Sequence, residues 1–502
     1  MTHMKKIFYI TLIVVGLVMS SCEDDLNLTP NYSLNELNAI TNAEDAHAAV
    51  NGAYAAIVNS DHFSGRLFVS LASKSGFVDW SSGDFDMEYS QSNETTSNIS
   101  DRWLDYYKTL NAANFAISNI GKLTIDQINL EEKDVLLAEA RCIRAFANMF
   151  VFWNYGHWWS SDDSNPNGII FREEPITLGE VEQERLNVGD SYDKIFKDLD
   201  FAIEHLENFT NNRYMSKEFA KVLKAKIILY RNGYNDGTAD LNEAIKLIDE
   251  VLYTPISGFS MQSDLAKVYQ DSWDSEENLF CSYVSDNEDR IDNISYTYSF
   301  SMIMYYATKL PVAPYDQLDA GLNFGLDWFK GDPRWDIVTG EARAPIAWDT
   351  DLRFTFTKVA RLGQFAGQLV SPEDLKYNTY FFRYSELYLL KAELLARTGA
   401  SVSEAIAPIN EMRSKRTNPV LESLNPTTQQ ELMDMIFKEY FLETFVENGS
   451  EYFASLRFKD GSGKLWMESI KGKPIDENRL CYPIPAVEMQ YNKLITQNTG
   501  LQ

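Results

Sequence analysis

Two stretches of this chain, far apart in sequence, spell the same pattern twice. Lys224–Gly233 (KAKIILYRNG) is echoed by Lys391–Gly399 (KAELLARTG), and Glu243–Val251 (EAIKLIDEV) by Glu404–Met412 (EAIAPINEM). Each copy reads as a helix ending at glycine, a short polar link, and a second helix with Ala-Ile on its packing face. Phe201–Glu207 (FAIEHLE) is a fainter echo of the second helix. A helix pair of this length is the unit of tetratricopeptide-type arrays, whose period is ~34 residues. One pair cannot bury both of its faces, so pairs must stack. The repeat therefore predicts an all-α fold with a tetratricopeptide-like scaffold.

Helical periodicity extends beyond the repeated stretches, with helices expected over Ala43–Asn59, Trp103–Ser118, Ser191–Asn208, Ser216–Gly233 and Asp240–Leu252. The most apolar is Leu136–Trp159. Leu136, Ala140, Ile143, Ala147 and Phe150 form one stripe; Cys142, Phe146, Met149 and Trp153 form a second beside it. An apolar surface that wide must be covered on several sides. Ala138, Ala140, Ala145 and Ala147 let neighbouring helices come close. Asn129 followed by Glu132 suits a capping box at its start, and Gly156 can end it. Asp134, Arg141, Arg144 and Asn148 fall on the remaining polar strip. Glu139 lies off that strip and calls for a partner such as a guanidinium.

Two segments lose this periodicity. Phe63–Ser100 is rich in Gly, Ser, Asn and Asp yet carries Phe77, Trp80, Phe85 and Tyr89. Thr254–Lys376 crowds tyrosines between Tyr269 and Tyr315, then adds Trp328, Trp335 and Trp348. Aromatic residues argue against disorder, and loops this long in a compact domain are commonly functional. A sugar ring has one face of C–H groups and a rim of hydroxyls. Flat side chains can bury the first while Asn, Asp, Gln and Arg bond the second.

Signatures of catalysis are mostly absent. The five histidines, His3, His47, His62, His157 and His205, make no H-E-x-x-H pair, and there is no G-x-S-x-G elbow. Gly461–Lys464 resembles part of a phosphate loop, but Phe458 and Leu465 break the pattern. A glycosidase would need two carboxyls ~5–9.5 Å apart, which a sequence with 73 acidic residues neither suggests nor forbids. Asp163–Glu174 satisfies the EF-hand spacing, with Asp163, Asn165, Asn167 and Glu174 as oxygen ligands for a structural calcium. The competing reading is a polar turn. Cys142, Cys281 and Cys481 sit in apolar surroundings at no metal-ligand spacing, which predicts buried thiols. The formal net charge of −28 argues against nucleic acid and polyanions and suits a neutral ligand.

Residues 1–21 read as an export signal: MTHMKK is basic and IFYITLIVVGLVM is too short to span a membrane. Ser20-Ser21-Cys22 resembles a lipoprotein cleavage site, with Met19 in place of the usual Leu. It implies lipid attachment at Cys22 and so a membrane anchor. Glu23, Asp24 and Asp25 resemble the acidic tag that directs Bacteroidetes lipoproteins to the cell surface.

Several motifs, in order, resemble the SusD-like (RagB/SusD) family. They are AEARCIRAFANMFVFWNYG in the apolar helix, the W-x-x-x-Y pattern from Trp103, KGDPRWD (Lys330–Asp336), FFRYSELYLLKAELLARTG, INEMRSKR (Ile409–Arg416), Ile436–Gly461, CYPIP and the terminal QNTGL. The match departs from the family at Tyr440 (usually Arg), Ser450 (near the usual His-Arg) and Ala454 (usually Asp), which predicts a weakened polar network at that helix pair. The resemblance implies a surface glycan-binding lipoprotein that works beside a SusC-like TonB-dependent outer-membrane transporter, without breaking bonds. It further implies ligand contacts from the two irregular segments, at Trp80, Phe85 and Tyr89 and at Tyr296, Tyr298 and Tyr306. The expected organisation is a signal over 1–21, a lipidated tether over 22–42, and a helical scaffold over 43–253 that carries the aromatic loop 63–100. An irregular, loop-rich ligand-binding module over 254–376 and a C-terminal helical scaffold over 377–502 follow. The alternatives are a helical-repeat adaptor for a peptide or protein and, more remotely, a glycoside hydrolase.

Overall fold

The computed structural model describes residues 40–58, 60–63, 65–77, 95, 97–176, 181–281, 328, 331–343, 352–356, 380–445 and 447–501. Helices α1 (Ala43–Val58), α2 (Gly65–Lys74), α3 (Ser97–Lys122), α4 (Leu130–Tyr155), α5 (Val188–His205), α6 (Lys217–Gly233) and α7 (Leu241–Leu252) form its first part. After the short α8 (Leu265–Asp271) come strand β1 (Asn278–Cys281), α9 (Trp335–Val338), the hairpin β2 (Thr339–Arg343) and β3 (Leu352–Phe356), and strand β4 (Tyr380–Arg383). Then follow α10 (Tyr384–Arg397), α11 (Val402–Lys415), α12 (Gln429–Thr444), α13 (Ser450–Ser455), α14 (Trp466–Lys471) and α15 (Ala486–Tyr491). The scaffold is all-α, with two two-stranded antiparallel sheets among the described residues. None of the described helices is long and apolar enough to cross a membrane.

The repeat behaves as stacking requires. Helix α6 packs on α7, α10 packs on α11, and α7 packs on α10, so the second pair sits against the first. Ala244 and Ala405, equivalent in the two copies, are both fully buried. The two copies use their terminal glycines differently. Gly399 takes the left-handed φ of +84° that ends α10. Gly233 lies against Arg457, whose Cδ would be 2.2 Å from an added Cβ.

Upstream, α1, α3, α4, α5 and α6 continue the stack, each helix against the next. In α4 the Asn129 side chain caps the start by accepting the Glu132 amide at 2.8 Å; Glu132 answers through the Asn129 side-chain amide, also at 2.8 Å. Both apolar stripes are buried, with Trp153 half-buried. The strip expected to stay polar is largely covered as well. Arg144 makes a two-pronged pair with Asp198 at 2.7 and 2.8 Å, Arg141 lies over the Phe201 ring at 4.1 Å, and Asn148 is fully buried. Glu139 corrects the expectation of a guanidinium partner. Those arginines point elsewhere, and the polar groups that act on its carboxyl are the Tyr54 hydroxyl and His47. Burial pushes the Glu139 carboxyl up to about 7 against the smaller opposing effects of Tyr54 and His47.

The polar network expected to be weak at the departures from the family pattern is partly intact. Ser450 donates to Glu386 at 2.6 Å and accepts from Lys226 at 2.9 Å. Tyr440 is buried with a hydroxyl that meets no partner among the described residues. Cys142, Cys281 and Cys481 are buried thiols outside any disulfide.

Candidate ligand-binding face

Of the sequence candidates, Trp80, Phe85, Tyr89, Tyr296, Tyr298 and Tyr306 lie outside the described residues, as does the lipidation candidate Cys22. The described residues do define where the two aromatic-rich segments leave the scaffold. The first departs after Phe77, held by a turn at Gly76 (φ +85°) and by its amide bonded to the Ala72 carbonyl at 3.0 Å. Its ring is buried 4.6 Å from Phe441 and 6.5 Å from Phe437, both on α12. The second segment returns to the same two rings: Trp328 lies 5.7 Å from each, edge-on. Phe437 and Phe441 are four residues apart, so they share one face of α12. Both segments are thus rooted on a single helical face.

The second segment is also closed at its neck. Strand β1, within its first third, pairs antiparallel with β4, which lies just past its end. The sequence of β4, YFFR, runs directly into α10, and four residues cannot declare a strand without their partner.

A buried ion cluster fastens this neck to α12. Arg383 of β4 reaches Glu447 at 2.7 Å, Glu277 at 2.8 Å and Glu443 at 3.1 Å. Arg416 joins Glu277 and Glu443. Arg334, in the Asp-Pro-Arg turn, holds Asp332 through two bonds at 2.8 and 2.9 Å and touches Glu439 at 3.0 Å and Glu443 at 3.1 Å. Arg413 also pairs with Glu439. Burial alone would strip charge from Arg334 and Arg383, but the surrounding carboxylates hold both guanidiniums well above their ordinary range. Burial likewise raises Asp332, and the Arg334 guanidinium more than offsets it. A cluster of this kind adds little net stability over apolar packing, but it is costly to break and fixes geometry. Its carboxylates are engaged by guanidiniums, so they are poor candidates for the acid and base of a glycosidase. Its members come from separate parts of the sequence, so no local pattern declares it.

The calcium candidate has a different construction. Asp163 pairs with Arg231 at 2.6 Å. The Asn165 side-chain oxygen accepts the Asn167 amides, main-chain at 2.9 Å and side-chain at 2.8 Å. The Asn167 oxygen accepts the Thr499 amide at 3.1 Å. The Glu174 carbonyl faces Asn114 at 3.4 Å. Among the described residues no three His, Cys, Asp or Glu side chains gather around a metal-sized space. The set does not fit calcium as it stands; the segment is a turn tying the connection before α5 to the C-terminal tail.

Comparison with known proteins agrees with this architecture. Residues 229–500 match the family model described as SusD family, and residues 29–228 match one described as starch-binding, associating with outer membrane. SusD-like protein P38 of Formosa agariphila is 24% identical over 492 residues, covering 89% of this chain and 90% of that protein. A SusD superfamily protein of Bacteroides thetaiotaomicron superposes with a TM-score of 0.69 at 19% identity, over 91% of this chain and 99% of the other. A structure described as a putative sugar binding protein, from Bacteroides vulgatus, gives 0.64 at 20% identity, over 93% and 100%.

Proposed function

This chain belongs to the SusD family, and from that membership we propose that it captures an oligosaccharide at the cell surface and passes it to a SusC-like TonB-dependent transporter. Proteins of this family bind carbohydrate without cleaving it, and this chain is not an enzyme. The observation that carries the ligand reading is the shared root on α12. Two segments rich in aromatic and amide side chains each set one ring, Phe77 and Trp328, against one face of a rigid helix. Aromatic faces flanked by hydrogen-bonding groups suit an uncharged sugar, and a chain of net charge −28 disfavours an anionic one.

Calorimetry against a glycan panel tests the proposal. Trp80→Ala or Tyr298→Ala is expected to weaken binding by ~1–3 kcal/mol where that ring stacks on sugar. A folded wild-type chain that binds a peptide and none of the glycans would favour the adaptor reading instead. The lipid anchor belongs to the same proposal: Cys22→Ala is expected to release the protein from the membrane fraction. Co-purification of a TonB-dependent porin with the tagged native chain tests the partner.

A further inference from the structure

We propose that the turn between α3 and α4 rests on the lipid surface of the outer membrane, with Ile125 and Leu130 dipped into it. The inference rests on the lipid anchor at Cys22, part of the proposed function, and adds the face of the fold that meets the bilayer. Ile125 is 72% exposed, the most of any large apolar side chain among the described residues, and Leu130 is 61% exposed. A single apolar residue at a surface needs no explanation. These two stand where the anchored end of the chain enters the fold. The Gln127 side-chain amide, between them in sequence, donates to the Thr41 carbonyl at 2.9 Å. Thr41 lies just ahead of α1, where the chain leading from Cys22 arrives. Ile40 is 18 residues from Cys22, so even a fully extended tether keeps this turn within ~65 Å of the lipid.

The turn is built to hold both side chains outward. Leu123 and Ile128 take the interior side and are buried. The Gln127 and Ile128 amides donate to the Thr124 carbonyl at 3.0 and 3.1 Å, and the Gln127 side-chain oxygen accepts the Thr124 amide at 2.9 Å. Lys133 closes the end of α3 by donating to the Gly121 and Leu123 carbonyls at 2.9 and 2.7 Å. Asn129 caps the start of α4. The backbone is thus satisfied within the fold. With the interior places taken, Ile125 and Leu130 can bury their surface only against something outside it.

The charges beside them select the mode of contact. Asp126 and Glu131 are exposed next to the two aliphatic side chains, and from 121 to 131 Lys122 is the one cation. Such a tip is not drawn to anionic headgroups as a polybasic segment is; it meets lipid by apolar insertion. Two aliphatic side chains would not hold a free protein on a bilayer. On a chain already held there by its own lipid, the contact is intramolecular and a weak one suffices. The placement also orients ligand capture. Helix α3 runs 26 residues from the end of the first aromatic segment to this turn, ~39 Å at 1.5 Å per residue. The point where that segment rejoins the scaffold therefore stands on the side away from the membrane.

The test uses the full lipidated chain in vesicles of phosphatidylethanolamine and phosphatidylglycerol. Cys142, Cys281 and Cys481 are buried and Cys22 carries the lipid, so Ile125→Cys supplies the accessible thiol for a nitrobenzoxadiazole label. Val420→Cys, at another apolar residue that is 66% exposed, is the control. The label on Ile125→Cys, and equally on Leu130→Cys, is expected to emit to the blue and to be quenched by brominated acyl chains, at low and high salt alike; the label on Val420→Cys should do neither. Water-like emission from Ile125→Cys and Leu130→Cys, in a chain that floats with the vesicles, overturns the contact and leaves the anchor standing. Quenching that vanishes at high salt overturns the apolar mode. A blue shift without lipid quenching, seen only when the transporter is reconstituted alongside, assigns the turn to a protein surface and overturns the lipid one. A wild-type chain that does not float with the vesicles overturns the anchor and this inference with it.

Discussion

Glu393→Gln is the perturbation whose cost can be worked in two ways. Glu393 on α10 is fully buried. It accepts Arg457 Nε at 3.0 Å and Nη2 at 2.8 Å, and Arg397 Nε at 2.8 Å. Burial alone would raise its carboxyl; the two guanidiniums outweigh that and bring it from the ordinary 4.5 down to about 2. At roughly 1.36 kcal/mol per pH unit, that gap corresponds to about 3 kcal/mol of folding stability at neutral pH. Removing one partner from a buried pair costs ~3–5 kcal/mol by a separate route, so the two figures agree. The sign follows from a depressed carboxyl. The contribution is complete above pH 4.5 and is lost as pH falls toward 2. Urea unfolding followed by tryptophan fluorescence should show the variant less stable by about 3 kcal/mol at pH 7. At pH 3, where wild type has itself lost more than half of the term, the difference should shrink to less than half. A difference below about 1 kcal/mol at pH 7, or one that is equal at both pH values, would refute the reasoning.

Three further outcomes follow from the same kind of accounting. Glu139, raised to about 7, favours its uncharged form when folded, so its contribution is full below pH 4.5 and is lost as pH rises through 7. Glu139→Gln should therefore match wild type at pH 4.5 and exceed it by about 1–3 kcal/mol at pH 8 in thermal or urea unfolding, the lower figures reflecting partial solvent contact; a variant less stable at pH 8 contradicts this. Tyr440→Phe removes a buried hydroxyl that meets no partner among the described residues, and should be neutral or stabilising by about 1 kcal/mol; a loss of more than that in a thermal melt would mean the hydroxyl is bonded. Gly233→Ala places a methyl 2.2 Å from Arg457 Cδ and should cost ~1–3 kcal/mol. Because Arg457 is the partner of Glu393, that cost should be smaller in the Glu393→Gln background.

What the sequence made legible was what repeats or alternates locally. The paired helices, the apolar stripes of α4 and the Asn129 cap all depend on residues within a few turns of one another. Helix α3 starts at Ser97, before the Trp103 where its apolar pattern begins, because its first turns are polar. Strand β4 reads as part of a helix because its definition lies in β1, about a hundred residues upstream. Glu139 was the sharper miss. Spacing on a helix tells which face a charge is on, but not that Arg144 is drawn to Asp198 on α5 or Arg141 to the Phe201 ring. The Asp163–Glu174 spacing fits a calcium loop letter by letter, yet a spacing cannot say whether its oxygens turn toward an ion or toward the chain's own amides.

The ion cluster and the paired neck together bear on how such a chain can hold a sugar at all. Contacts to hydroxyls are individually weak, so affinity depends on how little order is lost on binding. An excursion the length of the second aromatic segment would be costly to order from a free loop. Here β1, within its first third, pairs with β4 just past its end, Arg383 and Arg416 tie that neck to Glu443, and Arg334 ties an interior turn to the same helix. Phe77 brings the other segment to the same α12 face. These anchors are set when the scaffold folds, so the cost of holding them is not charged to binding. The same logic explains why charge is buried where apolar packing would serve stability equally well. An arginine with three carboxylate partners is satisfied in few arrangements, whereas an apolar contact tolerates many.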